Sequence, residues 1–254
     1  MSDSTVASDF SSIPILDYSL LDSPSQRPKF IAQLQHALIN IGFLYLSNHP
    51  VSTADIDSLI QYIPKLFAVP QEAKDKIRMA NSEHFLGYSR LGAELTKGKV
   101  DQREQFDFAT RHVCRWKEGD PEYYRLWGPS QVCVCFVVTF ELGFVHCATQ
   151  WPDEDLIPGF RDTMERYLNQ VQDLSYKLSS LLAEAFGLPP NGLAHFYDTD
   201  ELMQHRSKIV RYPVVKEGDD DQGVGPHYDA GFLTFVECLS IVSHFHAVFT
   251  PTFF

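Results

Sequence analysis

His227 and Asp229 stand one residue apart, with Tyr228 between them. Side chains on a β-strand alternate between faces, so an imidazole and a carboxylate at this spacing point the same way. Two such donors side by side suit a divalent metal. With a second imidazole they form the 2-His-1-carboxylate facial triad, which holds Fe(II) on three sites and leaves three for cosubstrate and O2. A bare H-x-D triplet is a weak signal, and alone it reads as a His and an Asp flanking a solvated turn. The context is more specific. Gly223, Gly225 and Pro226 precede the triplet, and Gly231-Phe232-Leu233-Thr234-Phe235 predicts a strand after it.

The other residues with ligand chemistry are five cysteines: Cys114, Cys133, Cys135, Cys147 and Cys238. An odd number without a signal-like N-terminus argues against a disulfide framework. Cys133-Val134-Cys135, with His146 and Cys147 nearby, lacks the spacing of a structural zinc site. The formal charge of -12 argues against nucleic acid and anionic membranes as partners. Residues 1–12 are polar, with no basic start and no apolar run. They predict a disordered leader on a cytoplasmic protein.

The elements that must position the triplet follow from periodicity. Ile13 to Asp17 predicts a short opening strand. Phe30, Leu34, Leu38 and Ile41 share one face of a helix over 28–41, which Gly42 ends. Gly42 to Ser47 predicts a strand buried on both faces, because its apolar run is continuous. Asn48-His49-Pro50 is a turn. A second helix carries Ile56, Leu59, Ile60 and Ile63, and Pro64 should kink or end it. Another starts at Pro70. Gly87-Tyr88 and Gly92-Ala93-Glu94 read as loop or irregular strand, and 101–108 leads into a strand. Over 158–186, Phe160, Met164, Leu168, Val171, Leu174, Leu178, Leu181 and Ala185 predict one long amphipathic helix, closed by Gly187 and Pro189. Such a helix needs a sheet or barrel face to lie on. Lys208 to Tyr212 is a strand stopped by Pro213, and 218–225 an acidic turn.

Taken in order, these segments resemble the isopenicillin N synthase-like family of non-haem Fe(II), 2-oxoglutarate-dependent oxygenases. Ile13-Pro14-Ile15-Leu16-Asp17, Gly42 to His49 and Leu66 to Lys74 are similar to its N-terminal region. Gly87-Tyr88 and Asp101 to Phe106 resemble its middle segment. Trp127-Gly128-Pro129, Trp151-Pro152 and Pro158-Gly159-Phe160-Arg161 match the approach to its long helix. Arg211-Tyr212-Pro213 through Gly225 to Thr234 resembles its first catalytic strand pair. The resemblance implies a mixed α/β fold, with an N-terminal α/β region packed on a double-stranded β-helix (jelly-roll) barrel. It implies Fe(II), 2-oxoglutarate and O2, with ascorbate as a reductant. His227 and Asp229 become the first two iron ligands. Tyr212 becomes a candidate for touching 2-oxoglutarate, with a core tyrosine beside a turn proline as the alternative. Arg103 and Glu104 read as a structural ion pair. The implied enzyme is a monomer that hydroxylates, desaturates or cyclises a small organic substrate, coupled to oxidative decarboxylation of 2-oxoglutarate.

Two stretches depart from the family pattern. Its distal His and Arg-x-Ser element lie several strands past the H-x-D triplet, but only 254 − 229 = 25 residues follow Asp229 here, with no Arg or Lys after Lys216. The expectation is a barrel truncated at its C-terminal side and a polypeptide of poor stability. His244 or His246 could return as a third ligand only through a hairpin, and no Gly, Pro or Asn marks its turn. Residues 132–150, rich in Val, Cys and Phe, separate Trp-Gly-Pro from Trp-Pro, which the family runs almost together. A membrane span there is marginal in length and contains Glu141 and His146. Val132 and Gln150 can be encoded by intron boundary bases and Val236 opens the atypical tail, so 132–150 and 236–254 read as translated introns. The expected organisation is a leader over 1–12, the N-terminal region over 13–131, the insertion over 132–150, long helix and first barrel strands over 151–235, and the tail over 236–254. The competing reading is a catalytically inactive truncated isoform with at most a weak metal site. An oxidase that uses no 2-oxoglutarate is a further alternative.

Overall fold

A computed structural model describes residues 12–128, 151–198, 202–214, 222–227 and 231–237. The elements in chain order are β1 (Ile15–Asp17), α1 (Arg27–Asn40), β2 (Tyr45–Ser47), α2 (Thr53–Ala68), α3 (Gln71–Lys76), β3 (Gly87–Ser89), β4 (Leu95–Thr96), β5 (Lys99–Val100), β6 (Glu104–Ala109), α4 (Phe160–Ala185) and β7 (Arg206–Arg211). They fall into two compact units. One takes Met1–Ile56, Arg166–Tyr197 and Tyr228–Phe254, the other Asp57–Glu165 and Asp198–His227.

In the first unit β1 and β2 pair in parallel, Ile15 opposite Tyr45. Parallel neighbours need a crossover, and α1 supplies it. Phe30, Leu34 and Leu38 are buried as the periodicity predicts. Gly42 ends α1 with φ 83, its N–H reaching back to the Ala37 carbonyl at 2.8 Å. This left-handed cap is cheap for glycine and costly for residues with a Cβ. The continuous apolar run through β2 is not buried on both faces. Leu44 and Leu46 are buried, whereas Phe43 and Tyr45 are half-buried, because a two-stranded sheet has one packed face. Asp17 fastens the turn after β2, accepting from Asn48 Nδ2 at 2.9 Å and from the Ser19 hydroxyl at 2.7 Å.

The long helix is a single element of 26 residues, as expected. Leu174, Leu178, Leu181 and Ala185 are buried, while Leu168 and Val171 are half-buried. Its C-terminus closes on Gly187 at φ 72, with Leu188 N–H on the Ala183 carbonyl at 2.9 Å. Arg27 pairs with Glu184, and the Gln35 amide donates to the Ala185 carbonyl at 2.6 Å. α2 continues through Pro64 to Ala68, so the proline does not end it.

The second unit is built on an antiparallel sheet of order β3-β6-β7, with Tyr88 opposite Phe106 and Glu104 opposite Arg211. Every residue of β6 is buried. On one face, Phe106 packs against Phe67 at 5.6 Å between ring centroids, and Phe108 against Trp151 at 4.4 Å and Phe160 at 6.0 Å. Trp151 and Phe160 are therefore core residues. Trp127 donates its indole N–H to the Leu202 carbonyl at 2.7 Å. A Cβ on Gly128 would come within 2.2 Å of the His84 ring, so no larger residue fits there. β4 and β5 form a hairpin whose two turn residues, Lys97 and Gly98, have φ of 51 and 82, a conformation matched to the twist of the flanking strands.

Three of these strands belong to one sheet, and no closed barrel is seen among the described residues. Two expected strands differ. His227 and residues 231–235 have irregular backbone, because no strand ladder among the described residues runs through them and a strand exists through its ladder. Residues 1–11, 132–150, 228–230 and 238–254 lie outside the described residues, as do most of the acidic turn, His244, His246 and the cysteines other than Cys114, which is exposed. Among the described residues, no helix is long and apolar enough to cross a membrane.

Candidate metal centre

The approach to His227 is held by one carboxylate. Asp101 follows the β4–β5 hairpin and is fully buried. Its Oδ2 accepts from the Thr96 hydroxyl at 2.7 Å and its Oδ1 from the Gln222 amide at 3.0 Å. The Gly225 N–H faces the same carboxylate, and Arg103 lies 3.4 Å away. Burial pushes this carboxyl upward, but the Thr96 and Gln222 hydrogen bonds, the Arg103 charge and the Gly225 N–H together hold it below its ordinary value. The backbones are tied as well, Gln102 N–H donating to the Gln222 carbonyl at 2.9 Å.

Gly225 has no room for a side chain. A Cβ there would meet the Thr96 Cγ2 and the Gln222 Nε2, each at 2.8 Å. Its carbonyl lies 2.8 Å from His227 Nδ1. A carbonyl only accepts, so Nδ1 carries the proton and, in the neutral ring, Nε2 carries the lone pair. Metal-binding imidazoles are commonly fixed this way, by a hydrogen bond at the nitrogen that does not ligate. His227 is exposed. It thus presents a defined tautomer at the surface of its unit, and an imidazole nitrogen is a donor that suits Fe(II). Asp229 lies outside the described residues. Among those described, no three His, Cys, Asp or Glu converge as a metal site.

Tyr212 is half-exposed, with 51% of its surface accessible, so it is not a core tyrosine. It lies beside Arg103, and a Cβ on Gly223 would touch its ring at 3.1 Å. Arg103 and Glu104 do not pair with each other, because neighbours on an extended segment point to opposite sides. Arg103 pairs with Glu94 at 2.6 Å. Glu94 shares the Gln105 amide with Asp107, at 2.9 and 2.7 Å. Burial raises the Asp107 carboxyl above its usual value. Glu104 faces the other way, toward Lys74 Nζ at 2.7 Å, the Tyr88 hydroxyl at 2.7 Å and Arg211. A cleft of about 400 Å³ opens over that second cluster, and His227 is not among its lining residues.

Asp101, Thr96, Gln222 and the tight fit at Gly225 hold the approach to His227, and none of these contacts is visible in the sequence. The two glycines ahead of the triplet are their one trace there.

Residues 13–133 match the family model described as the non-haem dioxygenase in morphine synthesis N-terminal region. The chain is 38% identical over 230 residues to the 2-oxoglutarate-dependent dioxygenase frbJ of Dothideomycetidae sp. (strain 11243), an alignment covering 89% of this chain and 56% of that protein. It is 30% identical over 247 residues to the homoarginine-6-hydroxylase 2-ODD-C23 of Glycine max, covering 91% of this chain and 67% of that one. A full-length Neurospora crassa protein, solved in complex with alpha-KG and 5-formyluracil, superposes with a TM-score of 0.67 at 20% identity, over 99% of this chain and 75% of its own. The chain belongs to the non-haem, 2-oxoglutarate-dependent dioxygenase family. It spans little more than half the length of the first curated relatives it matches.

Proposed function

We propose that this chain carries part of an Fe(II)/2-oxoglutarate-dependent oxygenase site that acts on a small organic substrate by hydroxylation, desaturation or ring closure. One observation carries the reading: the Gly225 carbonyl favours the His227 tautomer whose Nε2 lone pair can ligate a metal, inside the segment that resembles the family's iron motif. β3, β6 and β7 are read as strands of a jelly-roll barrel. Residues 132–150 are read as an insertion between Trp127-Gly128 and Trp151, both of which are held in the second unit.

Bound Fe(II) supplies O2 activation coupled to decarboxylation of 2-oxoglutarate. The residues of the chain orient the parts. His227 would hold the metal through Nε2, Asp229 would supply a carboxylate, and Tyr212, beside Arg103, would offer its hydroxyl to 2-oxoglutarate.

The test is succinate formation from 2-oxoglutarate with Fe(II) and ascorbate, measured for a version in which Gln131 joins Trp151 directly and 236–254 give way to the corresponding and remaining C-terminal residues of the frbJ dioxygenase. Succinate abolished by His227→Ala is expected. No succinate, or succinate that survives His227→Ala, contradicts the reading.

A further inference from the structure

We propose that Asp101 is the positioning residue of the metal site, gripping the loop that presents His227. The proposal rests on the iron-site reading above, and its first readout is independent of any metal.

Among the described residues, no strand ladder orders 222–227. Backbone outside a ladder must be ordered by side-chain partners or remain free to move. Two bonds cross from Asp101 and its neighbour to this segment, Gln222 Nε2 to Asp101 Oδ1 at 3.0 Å and Gln102 N–H to the Gln222 carbonyl at 2.9 Å, and the Gly225 N–H faces the same carboxylate. Gly225 thereby sits between two partners. Its N–H faces Asp101, and His227 Nδ1 donates to its carbonyl. A shift of Gly225 therefore moves the acceptor that sets the His227 tautomer.

The chemistry of the carboxylate fits this role. An ionised Asp only accepts and offers about four lone-pair directions. Asp101 turns them to a hydroxyl and an amide, and a backbone N–H and a guanidinium face it as well. An Asn has the same shape, but its NH2 would face one of these donors, so one contact must open. The hairpin side is independently braced, since Asp101 N–H bonds the Glu94 carbonyl at 2.9 Å. The Asp101 side of the contact is thus fixed, and the 222–225 side is the one that yields.

The experiment compares the full chain with Asp101→Asn and Gln222→Ala. The nitrogen chemical shifts of the His227 ring are read first. The parent is expected to show protonated Nδ1 and one fixed tautomer, and both variants to show exchange between tautomers. Mn(II) affinity is read second and is expected to fall about tenfold to a hundredfold in Asp101→Asn, the usual effect of losing an outer-shell partner. Gln222→Ala removes one tether while leaving the buried carboxylate in place, so it keeps the test valid if Asp101→Asn folds poorly. Unchanged ring tautomer in both variants overturns the proposal, as does Mn(II) affinity that falls only in step with the unfolded fraction. If the parent chain binds no Mn(II), the iron-site reading fails, and the ring shifts still decide whether Asp101 holds His227.

Discussion

Asp101 and Glu104 are buried carboxylates three residues apart, and they hold different kinds of partner. Glu104 gathers Lys74 from α3, Tyr88 from β3 and Arg211 from β7. Its donors sit on regular elements, two of them on strands already paired with β6. Asp101 gathers mainly neutral donors, two of them from the irregular segment 222–227. Breaking a buried ion pair strands a charge and costs several kcal/mol, whereas a neutral hydrogen bond is worth about one. The strong cluster thus concerns whether the second unit folds. The weak one concerns where His227 points once it has folded. Strength of interaction and nearness to function run in opposite directions here.

The largest expected effect comes from breaking the strong cluster. Glu104→Ala leaves Lys74, 5% exposed, without its carboxylate. Denaturant unfolding should show a loss of about 3–5 kcal/mol, as for other broken buried pairs. Mn(II) affinity of the molecules still folded should be unchanged. A loss of affinity in that folded fraction would erase the distinction between the two clusters.

Gly225→Ala is expected to reverse the pattern. The added methyl meets Thr96 and Gln222 at 2.8 Å, and such overpacking typically costs about 1–3 kcal/mol. Mn(II) affinity should fall at least about tenfold, on the scale of other outer-shell losses. Full affinity in a variant destabilised by that amount would show that the backbone position of residue 225 does not govern His227.

The smallest effect is a control on surface charge. Arg90 beside Asp75 holds that carboxyl down to about 2 from 3.8. A lowered folded value contributes stability above the unfolded value, and that stability is lost as pH falls through the folded one. Between about pH 4 and 2, Asp75→Asn should therefore lose less stability than the parent, by denaturation midpoint. Parallel curves for the two proteins would remove Asp75 from the acid response.

Much of this is legible in the sequence, and for definite reasons. α1 and α4 announce themselves through apolar spacing and terminal glycines, because a helix has its own period. The Trp127-Gly128 and Trp151 motifs survive as core contacts, because their side chains are read by sterics alone. Arg103 and Glu104 read as one pair in the sequence because adjacency hides that extended neighbours face apart. The strand expected at 231–235 has an apolar pattern but no ladder among the described residues. Asp101 is invisible there as a site residue, since its Gln222 partner lies 121 residues away and carries no charge to match. Tyr212 can be named but not placed, since a half-exposed and a core tyrosine have the same letter.

His227, as proposed above, is a metal ligand presented by a prearranged loop. Mn(II) binding to the parent chain, His227→Ala and Asp229→Asn, followed by electron paramagnetic resonance and calorimetry, tests it most directly. One site in the parent, lost in His227→Ala and weakened in Asp229→Asn with the melting temperature unchanged, is the predicted result. Mn(II) bound as tightly without the His227 imidazole as with it would rule His227 out as a ligand.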